Sequence, residues 1–289
     1  MTQDNATLIE RIELDPTLVI FRVRPDVVPP SSAPWFLPGQ YVTLGTAEIQ
    51  RAYSIASEPG ERRWLEFYIR FARQPATVSP LTHMLWTMPV GARLHVGDKI
   101  AGRFTLERTA VAGDTRVRVL VGAGTGVAPF ISMVRHAERT GDGAGLSRLA
   151  VLHGASHPHE LAYRDELQDG VSRFGLRYYP TVSRPEGHPD WTGLTGRVES
   201  LLEDGRLNAL ELRPDLATVY VCGFRSTIAE SVRRLLGRGF IPEDRRLRRT
   251  LGIADEKPPS LFFEQYDPDP VFDVNDKALI ASLRAVLGT

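Results

Sequence analysis

Polar and apolar positions follow two different rhythms along the 289-residue chain. Over the first hundred residues, short runs rich in β-branched and aromatic side chains (8–13, 18–24, 40–45 and 64–72) are separated by turn formers. These turn formers are Pro29-Pro30-Ser31-Ser32, Pro38-Gly39 and Glu58-Pro59-Gly60-Glu61. That spacing predicts an antiparallel barrel. A helix over 79–88 interrupts it, and Gly91 and Gly97-Asp98 return the chain to strands near 94–96 and 102–106. From residue 116 the second rhythm begins. Apolar strands at 116–121, 148–153, 176–182 and 217–222 alternate with helices at 127–139, 160–174, 196–203 and 226–238, and 260–266 fits a last strand. Strand–helix repetition with apolar strands predicts a parallel sheet covered on both faces. The small, flexible stretch 109–115 reads as a linker, so 1–108 forms the barrel and 116–289 the α/β domain.

Composition narrows the function more than the fold. Charges cancel, 35 Lys+Arg against 35 Asp+Glu, which argues against a surface built to grip nucleic acid or anionic lipid. Lys99, Lys257 and Lys277 are the only lysines, so arginine carries nearly all the positive charge. A GC-rich genome is the preferred cause over many sites for planar, bidentate anion recognition, since arginines shape anion sites only where they cluster. The single cysteine, Cys222, excludes an internal disulfide, a cysteine-ligated iron–sulfur cluster and a cysteine-rich zinc site. Residues 1–13 are polar, and the longest uncharged apolar stretch, 119–134, is shorter than a membrane span and holds three glycines and a proline. A cytoplasmic protein without a membrane segment is the expectation.

The strongest chemical signal is Val121-Gly122-Ala123-Gly124-Thr125-Gly126-Val127-Ala128-Pro129-Phe130, set between a buried strand and a helix. Parallel sheets bind nucleotides at that position, where glycines admit a phosphate and the helix start offers free N–H groups. The spacing is neither the dinucleotide fingerprint nor a P-loop, so alone it indicates a phosphate-bearing ligand of unspecified type. In the barrel, Arg51-Ala52-Tyr53-Ser54 puts an arginine and an aromatic on one face of a strand. Arginine can fork onto a phosphate while a tyrosine ring lies on an aromatic cofactor.

Together these motifs resemble the ferredoxin–NADP(+) reductase family of flavoproteins, its bacterial class most closely. The resemblance extends to Phe36-Leu37-Pro38-Gly39-Gln40-Tyr41-Val42, Leu65-Glu66-Phe67-Tyr68-Ile69-Arg70 and Ser79-Pro80-Leu81-Thr82. Further on it takes in Tyr179-Pro180-Thr181-Val182-Ser183-Arg184, Gly193-Leu194-Thr195-Gly196-Arg197 and Val221-Cys222-Gly223. It implies an antiparallel Greek-key β-barrel for FAD followed by a five-stranded parallel nucleotide-binding sheet. On the FAD side it implies that Arg51 holds the pyrophosphate, Tyr53 stacks on the isoalloxazine and Ser54 hydrogen-bonds near N5. Tyr68, Ile69 and Arg70 are implied to lie along the adenylate half, and Thr82 to cap the pyrophosphate. On the nucleotide side, Gly124, Thr125 and Gly126 are implied to cradle the pyrophosphate of NADP. Ser183, Arg184 and Arg197 are implied at the 2′-phosphate. Cys222 and Gly223 border the nicotinamide, with Cys222 setting shape rather than acting as a nucleophile, and Tyr266 matches the family's aromatic end.

Three departures qualify the match. Ser156 stands where relatives commonly carry an arginine for the 2′-phosphate, which makes NAD a contender. Val78-Ser79 replaces a family glycine, and the chain runs on from Tyr266 to Thr289. Nicotinamide nucleotides give electrons in pairs and ferredoxins accept one, so a chain without a metal cluster requires a flavin between them. The implied activity is a ferredoxin or flavodoxin–NADP(+) reductase. An NADH-preferring flavin reductase or oxygenase reductase component, and a flavin-bearing relay subunit without enzymatic activity, stay open. His153, His157 and His159 read as no metal site, because Pro158 breaks the helical spacing and no carboxylate–histidine pattern flanks them. The run Arg245-Arg246, Arg248-Arg249 reads as a solvated face, with docking of an acidic carrier as the alternative.

Overall fold

A computed structural model describes residues 4–30, 34–46, 48–72, 74, 80–109, 113–207, 209–266 and 270–287. The chain divides into two compact units, Met1–Ala110 with Ala128–Asp142, and Val111–Val127 with Gly143–Thr289. Expectations that fall on Ser31, Ser32, Val78, Ser79 and 110–112 lie outside the described residues.

The first unit holds strands β1 (Ala6–Asp15), β2 (Leu18–Pro25), β3 (Tyr41–Gly45), β4 (Gln50–Ser54), β5 (Leu65–Arg70) and β6 (Arg93–Val96), with helices α1 (Pro80–Thr87), α2 (Leu106–Thr109) and α3 (Ala128–Arg139). The sheet runs β4-β3-β6-β1-β2-β5 with antiparallel pairings. Just beyond β4, Ala56 N donates to Glu66 O of β5 at 2.8 Å, which brings the two ends of the sheet together. The cyclic order β6-β3-β4-β5 that results is the Greek key. Alternate residues fill the interior: Val19, Phe21 and Val23 of β2 and Val42 and Leu44 of β3 are fully buried.

The strand expected over 102–106 does not form. Ala101 makes one isolated bridge to Tyr41, Gly102 has φ +110°, and the chain leaves the sheet there to form α2. Phe104 is buried against Phe130 of α3 instead, with ring centres 5.8 Å apart. Helix α3, expected in the nucleotide-binding domain, packs within the barrel unit. Its polar residues recur at helical spacing on one side. Ser132 Oγ donates to Ser57 O at 2.7 Å, and Arg135 donates to Ala56 O at 3.0 Å and to Glu66 at 2.7 Å. His136 and Arg139 reach Glu58 at 2.9 and 2.7 Å.

The second unit holds β7 (Val117–Ala123), β8 (Leu149–Ala155), β9 (Arg177–Val182), β10 (Leu194–Thr195), β11 (Ala217–Gly223) and β12 (Leu261–Gln265). Its helices are α4 (Gly143–Leu146), α5 (Arg164–Phe174), α6 (Arg225–Gly237), α7 (Arg245–Leu251) and α8 (Lys277–Leu287). All pairings in the order β10-β9-β8-β7-β11-β12 are parallel. The sheet therefore has six strands rather than five, the extra one being the two-residue β10 against the end of β9. Where a helix was expected over 196–203, a 3₁₀ segment, Val198–Leu202, follows β10. Every residue of β11 is buried, as a central strand covered on both faces requires. Beyond β12, Val271, Phe272, Ile280 and Leu283 join the same apolar core, so the stretch after Tyr266 closes with an amphipathic helix. Among the described residues no helix is long and apolar enough to cross a membrane.

Candidate functional site

In the barrel unit the expected residues gather on β4 and β5. Strand β4 pairs with β3 in the register Tyr41↔Ser54, Val42↔Tyr53 and Leu44↔Arg51. Arg51 is exposed and donates one N–H to Gln50 O at 2.9 Å. No carboxylate pairs with it among the described residues, whereas Arg22, Arg63 and Arg135 of the same unit each meet one. Tyr53 packs part of its ring on the barrel core, and burial pushes its phenol up to about 12 against the pull of the nearby Arg51 charge. It is therefore a neutral aromatic surface at any working pH. Ser54 is buried.

Tyr68 and Ile69 on β5 are almost wholly buried, and Ile69 belongs to the barrel core, so its side chain serves packing. Arg70, last in β5, is half-buried opposite Leu18. Thr82 lies in the first turn of α1, whose Leu81 and Leu85 anchor it in the core.

In the sheet unit the expected residues collect at the carboxyl ends of parallel strands, where open α/β sheets bind their ligands. Gly124–Val127 forms a 3₁₀ turn directly after β7, with Gly124 at φ +55°. Gly126 is a packing requirement as well as a possible phosphate contact. A Cβ there would stand 2.3 Å from Cys222 O and 2.7 Å from Gly223 Cα, so the loop lies flat on the end of β11 only because the residue is glycine. Thr125 between them is half-buried.

Cys222 is fully buried, and its Sγ–H donates to the Tyr266 hydroxyl at 3.1 Å. Burial, helped by the Glu264 charge, raises the thiol well above its ordinary value, so the group is a protonated donor and not a nucleophile. Tyr266 follows β12 directly and is 40% exposed.

Ser183 and Arg184 leave β9 exposed, clipped to the end of β8 by Ser183 N→Ala155 O at 3.0 Å and Arg184 N→Ser156 O at 2.9 Å. Among the described residues no carboxylate pairs with Arg184. Arg197 is different: it binds Glu199 at 2.5 Å and Ser226 Oγ at 3.0 Å. Arg197, Glu199 and Ser226 line a cavity of about 710 Å³, whose wall also includes Phe272, Leu279 and Leu283 from the segment beyond Tyr266. Sequence reading had no signal for Glu199 or for that wall, because neither falls in a recognisable motif. Asp276, which accepts from the Ala278 and Leu279 N–H groups at 3.0 Å, is the cap that marks the start of α8 in retrospect.

Residues 120–234 match the family model described as an oxidoreductase NAD-binding domain, which fits the parallel sheet and its glycine loop. Over 222 residues the chain is 30% identical to ferredoxin–NADP reductase A of Sorangium cellulosum, covering 71% of this chain and 74% of that one. It is 27% identical over 259 residues to the phenol hydroxylase P5 protein of Acinetobacter pittii, covering 88% of this chain and 68% of the relative. The fold superposes with a TM-score of 0.74 on a ferredoxin NADP+ reductase of Neisseria gonorrhoeae, crystallised with FAD and NADP. That match covers 92% of this chain and all of the other, at 21% identity. The NAD-binding-domain match and these relatives mark the chain as an oxidoreductase. More particularly, the chain belongs to the ferredoxin–NADP reductase family.

Proposed function

We propose that the chain binds FAD on β4 and β5 and NADP(H) at the carboxyl ends of its parallel strands. On this reading it exchanges electrons between NADP(H) and a ferredoxin or flavodoxin carrier. The observation that carries this is the pair of exposed arginines, Arg51 and Arg184, one in each unit and neither neutralised by an acid among the described residues. Each is free to fork onto a phosphate. The donor set fits FAD: Arg51 and Thr82 for the pyrophosphate, a neutral Tyr53 face for the ring, and Ser54 for N5. Bound FAD supplies the conversion from hydride, accepted at N5, to single electrons for the carrier.

The protein's own groups do the rest. Gly124, Thr125 and Gly126 present main chain to a pyrophosphate. Ser183, Arg184 and Arg197 read the 2′-phosphate, to which Ser156 brings no charge. The Cys222 thiol stays protonated and fixes Tyr266 through its hydroxyl. Tyr68 and Arg70 flank the adenylate.

Stopped-flow reduction of the yellow protein with each nucleotide tests the reading. Arg184→Ala should weaken NADPH by about 1–3 kcal/mol and leave NADH nearly unchanged, and Ser54→Ala should slow flavin reduction with FAD retained. Equal losses for both nucleotides would remove Arg184 from the 2′-phosphate. The likeness to the phenol hydroxylase P5 protein supports a second reading, an NADH-using oxygenase reductase. A preference for NADH above about tenfold in kcat/KM would favour it.

A further inference from the structure

Three of the seven histidines meet on the surface of the sheet unit although the sequence separates them. His157 and His159 flank Pro158 after β8, and His188 comes from the loop after β9. Their ring centres form a nearly equilateral triangle, 5.5 Å for His157–His159, 5.3 Å for His157–His188 and 5.7 Å for His159–His188. The backbone on both sides is tied down. Arg184 N donates to Ser156 O at 2.9 Å, Glu160 N to His157 O at 3.1 Å and His188 N to Pro185 O at 3.0 Å. His157 Nδ1 is buried with no hydrogen-bond partner, an acceptor or donor left unused. None of the three has a part in the proposed flavin or nucleotide chemistry.

We propose that His157, His159 and His188 form a binding site for one borderline divalent transition ion of the zinc class. Three imidazoles on a tetrahedral zinc, with Zn–N of about 2.0–2.1 Å, place their ring centres about 5 Å apart, close to the triangle found. The donor type selects the ion, since imidazole suits zinc, copper and nickel whereas magnesium and calcium take oxygen. His157 and His159 lie parallel within 4°, and His188 is inclined to them by 54° and 51°. As the rings stand their nitrogens do not all lie within 4.8 Å of one another, so closing on one ion takes rotation of the rings about their side-chain torsions. The Glu160 carboxylate, within 4.8 Å of a His159 ring nitrogen and accepting from Ser156 N at 3.1 Å, is the neighbouring acid that favours a cation there. The linear spacing around Pro158 argued against a metal, and His188 supplies what that spacing lacked.

The test uses the full-length flavin-loaded protein without a histidine tag, stripped with a chelator and titrated with Zn²⁺ by calorimetry and with Co²⁺ by absorption. One ion per chain is expected, with a Kd at or below roughly 1 µM, and at least tenfold weaker binding in each of His157→Ala, His159→Ala and His188→Ala. His83→Ala, on α1, serves as the unchanged control. Three outcomes overturn the site: no saturable binding by about 100 µM Zn²⁺, binding that survives any of the three substitutions within about twofold, or variants that weaken NADPH and not Zn²⁺. The last would assign the cluster to a phosphate anion.

Discussion

Glu66 in the barrel unit and Glu199 in the sheet unit are both buried carboxylates, and their surroundings treat them in opposite ways. Glu66 is saturated. Arg22 and Arg135 bind its two oxygens at 2.8 and 2.7 Å, its neighbour Trp64 lies under the Arg22 guanidinium, and Arg22 reaches on to Glu10. Burial works to raise its carboxyl, and the Arg135 and Arg22 charges outweigh burial and hold it below the ordinary range. Glu199 meets Arg197 through one oxygen, and its Oε2 is buried without a hydrogen-bond partner beside the large cavity. A satisfied buried charge holds a fold together, because removing it strands its partners. A half-satisfied one contributes little to the fold, because its burial cost is only partly repaid.

Five substitutions put that contrast to the test. Glu66→Ala should cost about 3–5 kcal/mol in denaturant unfolding, since it leaves two arginines facing a buried gap. A loss below about 1 kcal/mol would refute the structural role of the network. Because the folded-state carboxyl lies below its unfolded value of about 4.3, its contribution is complete above that pH and is lost as pH falls through the folded value. The stability gap between wild type and Glu66→Gln should therefore narrow in acid and not in base. Gly126→Ala comes next, at about 1–3 kcal/mol, by forcing a Cβ into Cys222 O. It shows whether the sheet unit's rigid point lies in packing rather than charge, and nucleotide binding should fall with stability. Glu199→Gln should change stability by less than about 1 kcal/mol, because the lower cost of burying a neutral amide offsets the weakened pairing with Arg197. Asp169→Asn on α5 breaks an exposed pair with Arg173 and should cost only about 0.3–0.5 kcal/mol, the baseline for a charge in water.

Much of the fold was legible where periodicity and punctuation agree. The strands and helices around Gly122–Val127 were visible because an apolar run, three glycines and a helix start coincide. Arg51, Tyr53 and Ser54 stood out through residue type alone. Helix α7 was not seen, since Arg245, Arg246, Arg248 and Arg249 masked its short apolar stripe. Its boundaries were nonetheless present: Asp244 accepts from Leu247 N at 2.6 Å, and Gly252 closes it in the left-handed region at φ +75°. Arg248 turned out to be buried and donates to the Ala254 and Lys257 carbonyls, so that part of the basic run is structural rather than a solvated face. Strand β10 is two residues long, below any detectable period. Groupings drawn from distant segments, such as Arg135 on Glu66, His188 beside His157 and Phe272 and Arg197 lining one cavity, leave no local trace in sequence.

The placement of α3 in the barrel unit has a practical consequence for anyone who would divide the protein. Neither unit is one continuous stretch, so the chain passes between them three times rather than once. A fragment ending at residue 109 would carry Glu66 and Glu58 but not Arg135, His136 or Arg139, so Glu66 would keep only Arg22 and Glu58 would lose both of these partners. A barrel cut from this chain would therefore be a stable piece only if it travels with the helix that follows the glycine loop. The protein is indivisible at the very point where its composition most invites a cut.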